Sequence, residues 1–259
     1  MHPILFTLGN LPIYTYGLLV ALGIFVALLL FEKETQKRGL DPDITSSFAF
    51  WAIVMAIVGS RIGWVIQYWP MYKGNWLAII NVREGGLAFH GGLIAAIGVG
   101  FYYVFRYKLP LAKLADAAAR PLAIGYVIGR WGCFFNGCCW GKETTLPWGV
   151  VSRFVDDLRH PVQLYDSFAT LLLFGFITWR SKHSKFGGQL FLETLMGFAV
   201  VRFIVEFFRD TPMANEVLNQ TQMLMFGLFA IPLIIELYRL NQLKGSKEYG
   251  VKKSSPKGH

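Results

Sequence analysis

The sequence predicts an all-α protein, a polytopic integral membrane helical bundle of about seven transmembrane helices with the N-terminus outside and the C-terminus cytoplasmic. The 259-residue chain is 54% hydrophobic and only 16% charged, whereas soluble domains carry about 25% charged residues. Its hydrophobic residues are grouped in blocks close to the roughly 17–25 residues that span a bilayer as a helix. Its basic residues are concentrated in alternate loops.

The hydrophobic blocks account for nearly all of the chain up to residue 240 and predict a single transmembrane domain there. The fourth and sixth blocks are less uniform than the others because they include charged residues. The polar, basic segment 241–259 predicts a disordered cytoplasmic tail. The blocks lie at 14–31, 48–68, 87–105, 112–132, 162–179, 187–208 and 221–238.

Lysine and arginine determine the predicted orientation. Fifteen of them follow the first, third, fifth and seventh blocks, and five lie in the opposite loops. Short loops rich in Lys and Arg remain cytoplasmic, so we expect a multi-pass membrane protein in this orientation. The net charge of +9 then reflects topology and contact with membrane lipid, and no nucleic-acid partner is expected.

Charged side chains inside the hydrophobic blocks are candidates for function, because burying a charge in a membrane is costly. In the predicted orientation these side chains lie near the outer ends of at least four different helices. Since the orientation came from other residues, this convergence independently predicts a site at the outer leaflet. The polar residues at this depth are Tyr16, Arg61, His90, Arg130, Arg202, Glu206 and Arg209.

Arg202, Glu206 and Arg209 share one face of a helix because they are four and three residues apart. Two interpretations remain open for Glu206. The face is either a salt-bridge ladder that makes burial of the helix tolerable, or part of an anion site in which arginines outnumber carboxylates and leave a surplus of positive charge. Arginine suits the second role because its rigid fork of donors matches phosphate.

The segment "AFHGGL", residues 88–93, combines His90 with two glycines. A lone histidine is usually structural, but this one lies at the depth of the arginines. Imidazole exchanges a proton near neutral pH, so His90 is the candidate base. Small residues such as Gly91 and Gly92 mainly predict tight helix packing.

The cysteines Cys133, Cys138 and Cys139 are the three cysteines of the chain. They could be structural thiols or a disulfide, polar lining of a substrate site, or groups for covalent or metal chemistry. A zinc site normally needs four ligands, and the sequence has no second Cys/His cluster, so no metal and no cofactor are expected. A membrane thiol-disulfide carrier using these cysteines is the alternative function, although a C-x-x-C motif is missing.

Six motifs together give the chain a resemblance to the prolipoprotein diacylglyceryl transferase family of bacteria. They are "YGLL" at 16–19, "GSRIGW" at 59–64, "FHGGLI" at 89–94, "GRWGCFFNGCCWG" at 129–141, "RHPVQLYDS" at 159–167 and "VRFIVEFFRD" at 201–210. The resemblance implies a transferase that moves the diacylglyceryl group of phosphatidylglycerol onto the lipobox cysteine thiol of a preprolipoprotein. A thioether forms and glycerol phosphate is released. The resemblance also implies a location in the bacterial cell (inner) membrane, as a multi-pass protein.

The resemblance also implies roles for individual residues. Arg130, Arg202 and His90 match catalytic positions of the family, and Tyr16 matches its first-span tyrosine. With Arg130 and Arg202, the residues expected to contact phosphatidylglycerol are Tyr16, Arg61, Asn136 and Glu206. The chain departs from the common family signature at Cys133 and Cys138, where that signature has asparagine and glutamate.

Overall fold

The computed structural model describes residues 3–9, 11–74, 76–81, 85–211 and 218–254 of the chain. Within these ranges, seven helices of 18 residues or more coincide with the seven predicted blocks. A 3-10 turn, Trp69–Tyr72, and the four-residue helix α3, Leu77–Ile80, lie between the second and third of these long helices. The long helices are α1 (Thr15–Lys37), α2 (Pro42–Gln67), α4 (Phe89–Tyr107), α5 (Leu111–Asn136), α6 (Val162–Arg180), α7 (Gln189–Glu206) and α8 (Gln220–Ser254).

Among the described residues, four helices are long and apolar enough to cross a membrane by length and composition: α1, α2, α6 and the Gln220–Lys244 part of α8. Their surface fits this environment. On α1, for example, Leu18, Leu22, Phe25 and Leu29 form a stripe at helical spacing and are 46% to 58% exposed. Contiguous exposed apolar surface of this kind suits contact with lipid. A helical membrane protein is therefore confirmed, whereas seven crossings and the orientation stay predictions.

In the part of the chain that the structure describes, two short β-hairpins interrupt the helical architecture, and the sequence did not predict them. The first pairs β1 (Ile4–Leu8) with β2 (Leu11–Tyr14), and the second pairs β3 (Val150–Ser152) with β4 (Val155–Arg159), both antiparallel. Strands of three to five residues are too short to show a reliable alternation of polar and apolar residues. The all-α class thus describes the helices and omits these two hairpins.

The chain folds into two compact units, which are described separately. Unit 1 comprises Met1–Phe31 with Ala115–His259, and unit 2 comprises Glu32–Leu114. In unit 1, α8 continues to Ser254 and so includes most of the segment expected to be a disordered tail. Residues 255–259 lie outside the described part of the chain, and the single catalytic domain over 1–240 stays a prediction.

Buried polar contacts hold the helices of unit 1 in register. Asp116 on α5 accepts hydrogen bonds from the backbone N–H groups of Gly188, at 2.8 Å, and Phe191, at 2.9 Å. These groups start α7, where backbone donors have no partner within the helix. At the same end of the unit, Arg180 and Glu193 join α6 to α7 by an ion pair. α5, α6 and α7 therefore have a defined relative position.

In unit 2, glycines allow α2 and α4 to pack backbone against backbone. A Cβ added at Gly59 would lie 2.6 Å from the carbonyl oxygen of Gly91, and one added at Gly63 would lie 3.1 Å from the Gly91 Cα. A Cβ added at Gly91 would overlap the Gly59 carbonyl. This contact confirms that the small residues of "HGGLI" pack helices closely.

We expect Gly91→Ala to destabilise unit 2, because the new methyl group meets backbone that cannot rotate away. Overpacking of this kind costs about 1–3 kcal/mol. Gly98→Ala is the matched control, since Gly98 lies on the same helix with no heavy atom within 4 Å of its added Cβ. Thermal unfolding in lipid should show a lower midpoint for Gly91→Ala than for Gly98→Ala, and equal midpoints would contradict the packing.

Candidate functional site

The central feature of unit 1 is a carboxylate that contacts two arginines. Asp166, near the start of α6, is fully buried. Its Oδ2 lies 2.6 Å from Nη2 of Arg130 near the end of α5, and 3.2 Å from Nη1 of Arg202 near the end of α7. Tyr126 donates a hydrogen bond to the same oxygen at 3.1 Å. Asp166 therefore brings Arg130 and Arg202 together from two different helices.

A second carboxylate extends this group along α7. Oε2 of Glu206 lies 2.8 Å from Nη2 of Arg202 and 3.7 Å from Nε of Arg209. Its Oε1 accepts hydrogen bonds from Thr211 at 3.0 Å and from Asn219 at 3.3 Å. The salt-bridge ladder considered from the sequence is present, and Arg202 links it to Asp166.

The cluster of Arg130, Arg202, Arg209, Asp166 and Glu206 has unequal charges. Three guanidinium groups face two carboxylates, which leaves one positive charge in excess. Arg130 is 8% exposed, and its Nε has no hydrogen-bond partner among the described residues. Its Nη2 is within ion-pair distance of Asp166 but has no hydrogen bond of good geometry there. Unsatisfied buried donors are costly, so this guanidinium is suited to an anionic ligand.

Backbone contacts hold the ends of these helices together. After α5, Gly141 donates to the carbonyl of His160, at 3.0 Å, and Lys142 donates to that of Phe208, at 2.9 Å. His160 lies just before α6, and Phe208 lies just after α7. The loop after α5 therefore ties both of the neighbouring helices at the level of Arg130 and Arg202.

Tyr16 and Asn136 lie in the same unit. Tyr16, at the start of α1, is 43% exposed, and its ring and backbone are 3.3 to 3.4 Å from where a Cβ of Gly132 would lie. Asn136 is the last residue of α5, and its side chain interacts with the Cys138 thiol. Tyr16 is thus next to the α5 turn that follows Arg130, and Asn136 lies beside the cysteines.

The three cysteines are free thiols on and just after the end of α5. Their sulfur atoms all lie within 4.8 Å of one another, and the Sγ atoms of Cys138 and Cys139 are 3.6 Å apart. Hydrogen bonds from the Cys133 and Cys138 thiols, together with the charge of Arg130 and Arg209, lower the pKa of Cys139. The cysteines thus form a compact cluster at the edge of the arginine site.

Arg61 and His90 belong to unit 2. Arg61 is buried and donates to backbone carbonyls through all three guanidinium nitrogens, including Ile79 at 2.7 Å and Ala78 at 2.6 Å. Arg61 also donates to Asn81, Gly85 and Gly86. Arg61 therefore holds the segment before α4 in place. Its contact with phosphatidylglycerol stays a prediction. His90 is exposed in the first turn of α4, where its ring lies 5.9 Å from that of Phe89.

Sequence reasoning missed Asp166 and Tyr126. Asp166 is a carboxylate inside the hydrophobic block 162–179, so the rule that intramembrane charges are functional should have identified it. Tyr126 carried no comparable signal, because a tyrosine in an apolar helix is usually ordinary packing. The guanidinium carbon of Arg130 lies 5.8 Å from the centre of the Tyr126 ring.

Comparison with known proteins gives concordant matches over almost the whole chain. A family model described as "Prolipoprotein diacylglyceryl transferase" matches residues 3–238. The phosphatidylglycerol–prolipoprotein diacylglyceryl transferase of Bacillus cytotoxicus is 33% identical over 255 residues, 93% of each chain. The protein of the same name from Finegoldia magna is 30% identical over 250 residues, covering 96% of this chain and 100% of its own. These matches do not support a thiol-disulfide carrier.

Proposed function

The chain belongs to the prolipoprotein diacylglyceryl transferase family, and we propose that Arg130 and Arg202 bind the phosphate of its phosphatidylglycerol substrate. The enzyme transfers the diacylglyceryl group from that lipid to the cysteine thiol of a prolipoprotein. A carbon–sulfur bond forms, the bond between the glyceryl carbon and the phosphate oxygen breaks, and glycerol phosphate is released.

One observation carries the proposal: Arg130 and Arg202 both contact Asp166. Together with Glu206 and Arg209, they form a cluster that has one positive charge in excess. A phosphodiester has one negative charge near neutral pH, so the headgroup would neutralise the cluster. The unpartnered Nε of Arg130 supports binding through the guanidinium fork, which can contact two phosphate oxygens at once.

The same arginines would accelerate bond breaking. As the carbon–oxygen bond breaks, negative charge builds up on the departing phosphate oxygen. Guanidinium groups already held in position stabilise that charge without having to reorganise, which is a major source of enzymatic rate enhancement. Asp166 and Glu206 are positioning residues in this proposal, because they hold Arg202 from two sides and keep it beside Arg130.

The remaining site assignments complete the proposal. Tyr16 and Asn136 lie in unit 1 with the arginines, and we assign them to the headgroup and the glycerol backbone. The acceptor cysteine must lose a proton, since the thiolate is the nucleophile. His90 is the proposed proton acceptor. Arg61 holds the segment that precedes the helix of His90, and it is also a proposed contact of the lipid.

Seven membrane crossings with the N-terminus outside are part of the same proposal. The seven long helices and the alternation of basic loops support it. A reporter enzyme that is active only in the cytoplasm should be active when fused after Lys253 and inactive when fused after Lys73. The reverse pattern, or activity at both positions, would contradict this topology.

The experiment that tests the function follows the products. Purified protein in lipid receives phosphatidylglycerol labelled in its diacylglyceryl group and a lipobox peptide. Label should appear on the peptide, glycerol phosphate should be released in equal amount, and a peptide with serine in place of its cysteine should remain unlabelled. If lipid is consumed without labelling of the cysteine peptide, the proposed function is wrong.

A further inference from the structure

The cysteine cluster, defined as Cys133, Cys138 and Cys139, is a group of chemically reactive side chains that the proposed function does not use. Family resemblance does not assign it, because the common signature has asparagine and glutamate at two of its positions. The chain has three cysteines in all, and the fold places all three sulfur atoms within 4.8 Å of one another. Such convergence requires a specific backbone path, which the structure shows.

That path depends on an unusual conformation of Cys139. Its φ is +65°, in the left-handed region, and Gly137 two residues earlier has φ of +76°. A residue with a side chain rarely adopts this conformation, which costs about 1–2 kcal/mol. Adjacent side chains in an extended segment point in opposite directions, whereas here the sulfur atoms of Cys138 and Cys139 are 3.6 Å apart.

Two hydrogen bonds from surrounding elements and one within the cluster stabilise the conformation. Gln163 on α6 donates to the Cys138 carbonyl at 2.6 Å, and Ser152 on β3 donates to the Gly137 carbonyl at 2.6 Å. The Cys138 N–H also donates to the Cys133 carbonyl at 3.2 Å. Gln163 and Ser152 are both buried, so two distant parts of the chain hold the cysteines in place.

The distances suit one thiophilic cation. Zinc binds thiolates at about 2.3 Å in a tetrahedron, which separates the sulfur atoms by roughly 3.8 Å. The observed separations, 3.6 Å for one pair and no more than 4.8 Å for any pair, require only small adjustments. Arg130 and Arg209 act electrostatically on Cys139, and the zinc ion itself would offset two of the three thiolate charges.

We propose that Cys133, Cys138 and Cys139 bind one zinc ion, whose fourth coordination position is open to the thiol of the acceptor peptide. The sequence argued against a metal because it offers three ligands where four are usual. Three protein ligands with one open position are, however, the arrangement of catalytic zinc sites. This inference rests on the proposed function, since that function supplies the acceptor thiol as the fourth ligand.

The chemical step balances without an oxidant or a reductant. On coordination the acceptor thiol gives up its proton, because a zinc-bound thiol is deprotonated, and His90, the proton acceptor of the proposed function, takes it up. The thiolate sulfur then donates an electron pair to the glyceryl carbon of phosphatidylglycerol. The new carbon–sulfur bond forms, the carbon–oxygen bond breaks, and its electron pair leaves on the phosphate oxygen near Arg130. The acceptor is then a thioether, which binds zinc more weakly and can depart.

A disulfide is the competing use of the same cysteines, and it explains them less completely. A disulfide would join two of the sulfur atoms and leave the third without a role. Cys138 and Cys139, whose sulfur atoms are 3.6 Å apart, are adjacent in sequence, where a bridge would be strained. Zinc uses all three sulfur atoms, including that of the strained residue Cys139.

The first experiment measures binding of Co²⁺ as a spectroscopic substitute for zinc. Full-length protein is purified in lipid under reducing conditions, freed of metal and titrated with Co²⁺. We expect one Co²⁺ per chain, with absorption bands of thiolate ligation and tetrahedral geometry. Because the chain has three cysteines in all, these bands can arise only from this cluster. A wild-type protein without such bands would overturn the proposal.

Two variants test whether the cysteines of the cluster are the metal ligands. Cys139→Ser should lower Co²⁺ affinity by more than about 100-fold, the upper range for losing a residue that merely supports a ligand. Cys133→Asn with Cys138→Glu introduces the residues of the common family signature, so it is expected to fold and to lose the thiolate bands. Unchanged bands in this double variant would overturn the assignment of the ligands.

The acceptor position is tested by adding lipobox peptide to the Co²⁺-loaded protein. The cysteine peptide should intensify the thiolate band and shift the tetrahedral bands, and the matched serine peptide should leave both unchanged. Identical responses to the two peptides would overturn the open-position proposal. Zinc added to metal-free protein should restore transfer at least tenfold.

The outcomes separate this inference from the proposed function. Full transfer by metal-free protein would overturn the zinc site and leave the transferase assignment intact. Metal binding with a cysteine-specific response but no diacylglyceryl transfer would support the site and contradict the proposed function. Mass spectrometry that finds a stable intramolecular disulfide in active protein would also overturn the zinc site.

Discussion

Replacing Arg130 by alanine is expected to abolish nearly all diacylglyceryl transfer, and Arg130→Lys is expected to lose most of it. Lysine keeps the charge near Asp166 but offers a single ammonium group in place of a planar fork. Loss of one charge-assisted hydrogen bond costs about 1.5–3 kcal/mol, or roughly 10- to 150-fold in rate. Alanine also removes the charge that stabilises the departing phosphate, so its effect is larger.

The matched control for Arg130 is Arg120, which lies on the same helix. Arg120 donates to the Thr178 hydroxyl at 3.1 Å and lies 5.6 Å from the ring centre of Phe174. Arg120→Lys keeps the charge and should retain transfer within a few-fold of wild type. Transfer to lipobox peptide is measured for each variant in lipid, with folding checked by thermal unfolding. A near-normal rate for Arg130→Ala would show that the phosphate is bound elsewhere.

Asp166→Asn is expected to have the second largest effect, because it removes the one negative charge shared by Arg130 and Arg202. Asparagine retains an oxygen that can accept from Tyr126 but removes the carboxylate charge between the two guanidinium groups, so that, among the described residues, Arg202 keeps only its ion pair with Glu206. Breaking a buried ion pair destabilises a protein by about 3–5 kcal/mol. In molecules that remain folded, misplaced arginines should reduce kcat by about 100-fold.

Thr170→Val is the control for Asp166. Thr170 lies one turn further along α6, is fully buried, and its hydroxyl has no hydrogen-bond partner among the described residues. Removing that hydroxyl should change the free energy of unfolding by less than about 1 kcal/mol. A positioning role for Asp166 predicts a lower kcat at temperatures where the variant is folded. If Asp166→Asn loses stability but keeps the wild-type kcat, Asp166 is only structural.

The sequence alone was sufficient for the features that depend on local periodicity and composition. Block lengths predicted the seven long helices, since the number of residues needed to span a bilayer follows from the rise per residue of a helix. The spacing of Arg202, Glu206 and Arg209 predicted their shared face, because the helical repeat is a local property. The motifs likewise indicated the family before any distance was known.

Only the tertiary structure decided which of these residues meet. Asp166 lies 36 residues from Arg202 in the chain, and the two meet because backbone hydrogen bonds after α5 bring the ends of α6 and α7 together. Gly137 and Cys139 adopt left-handed conformations that no periodic pattern encodes, and they bring three thiols to one point. Helical periodicity is a local property, whereas contacts between helices depend on packing and on loop backbones that join distant parts of the chain.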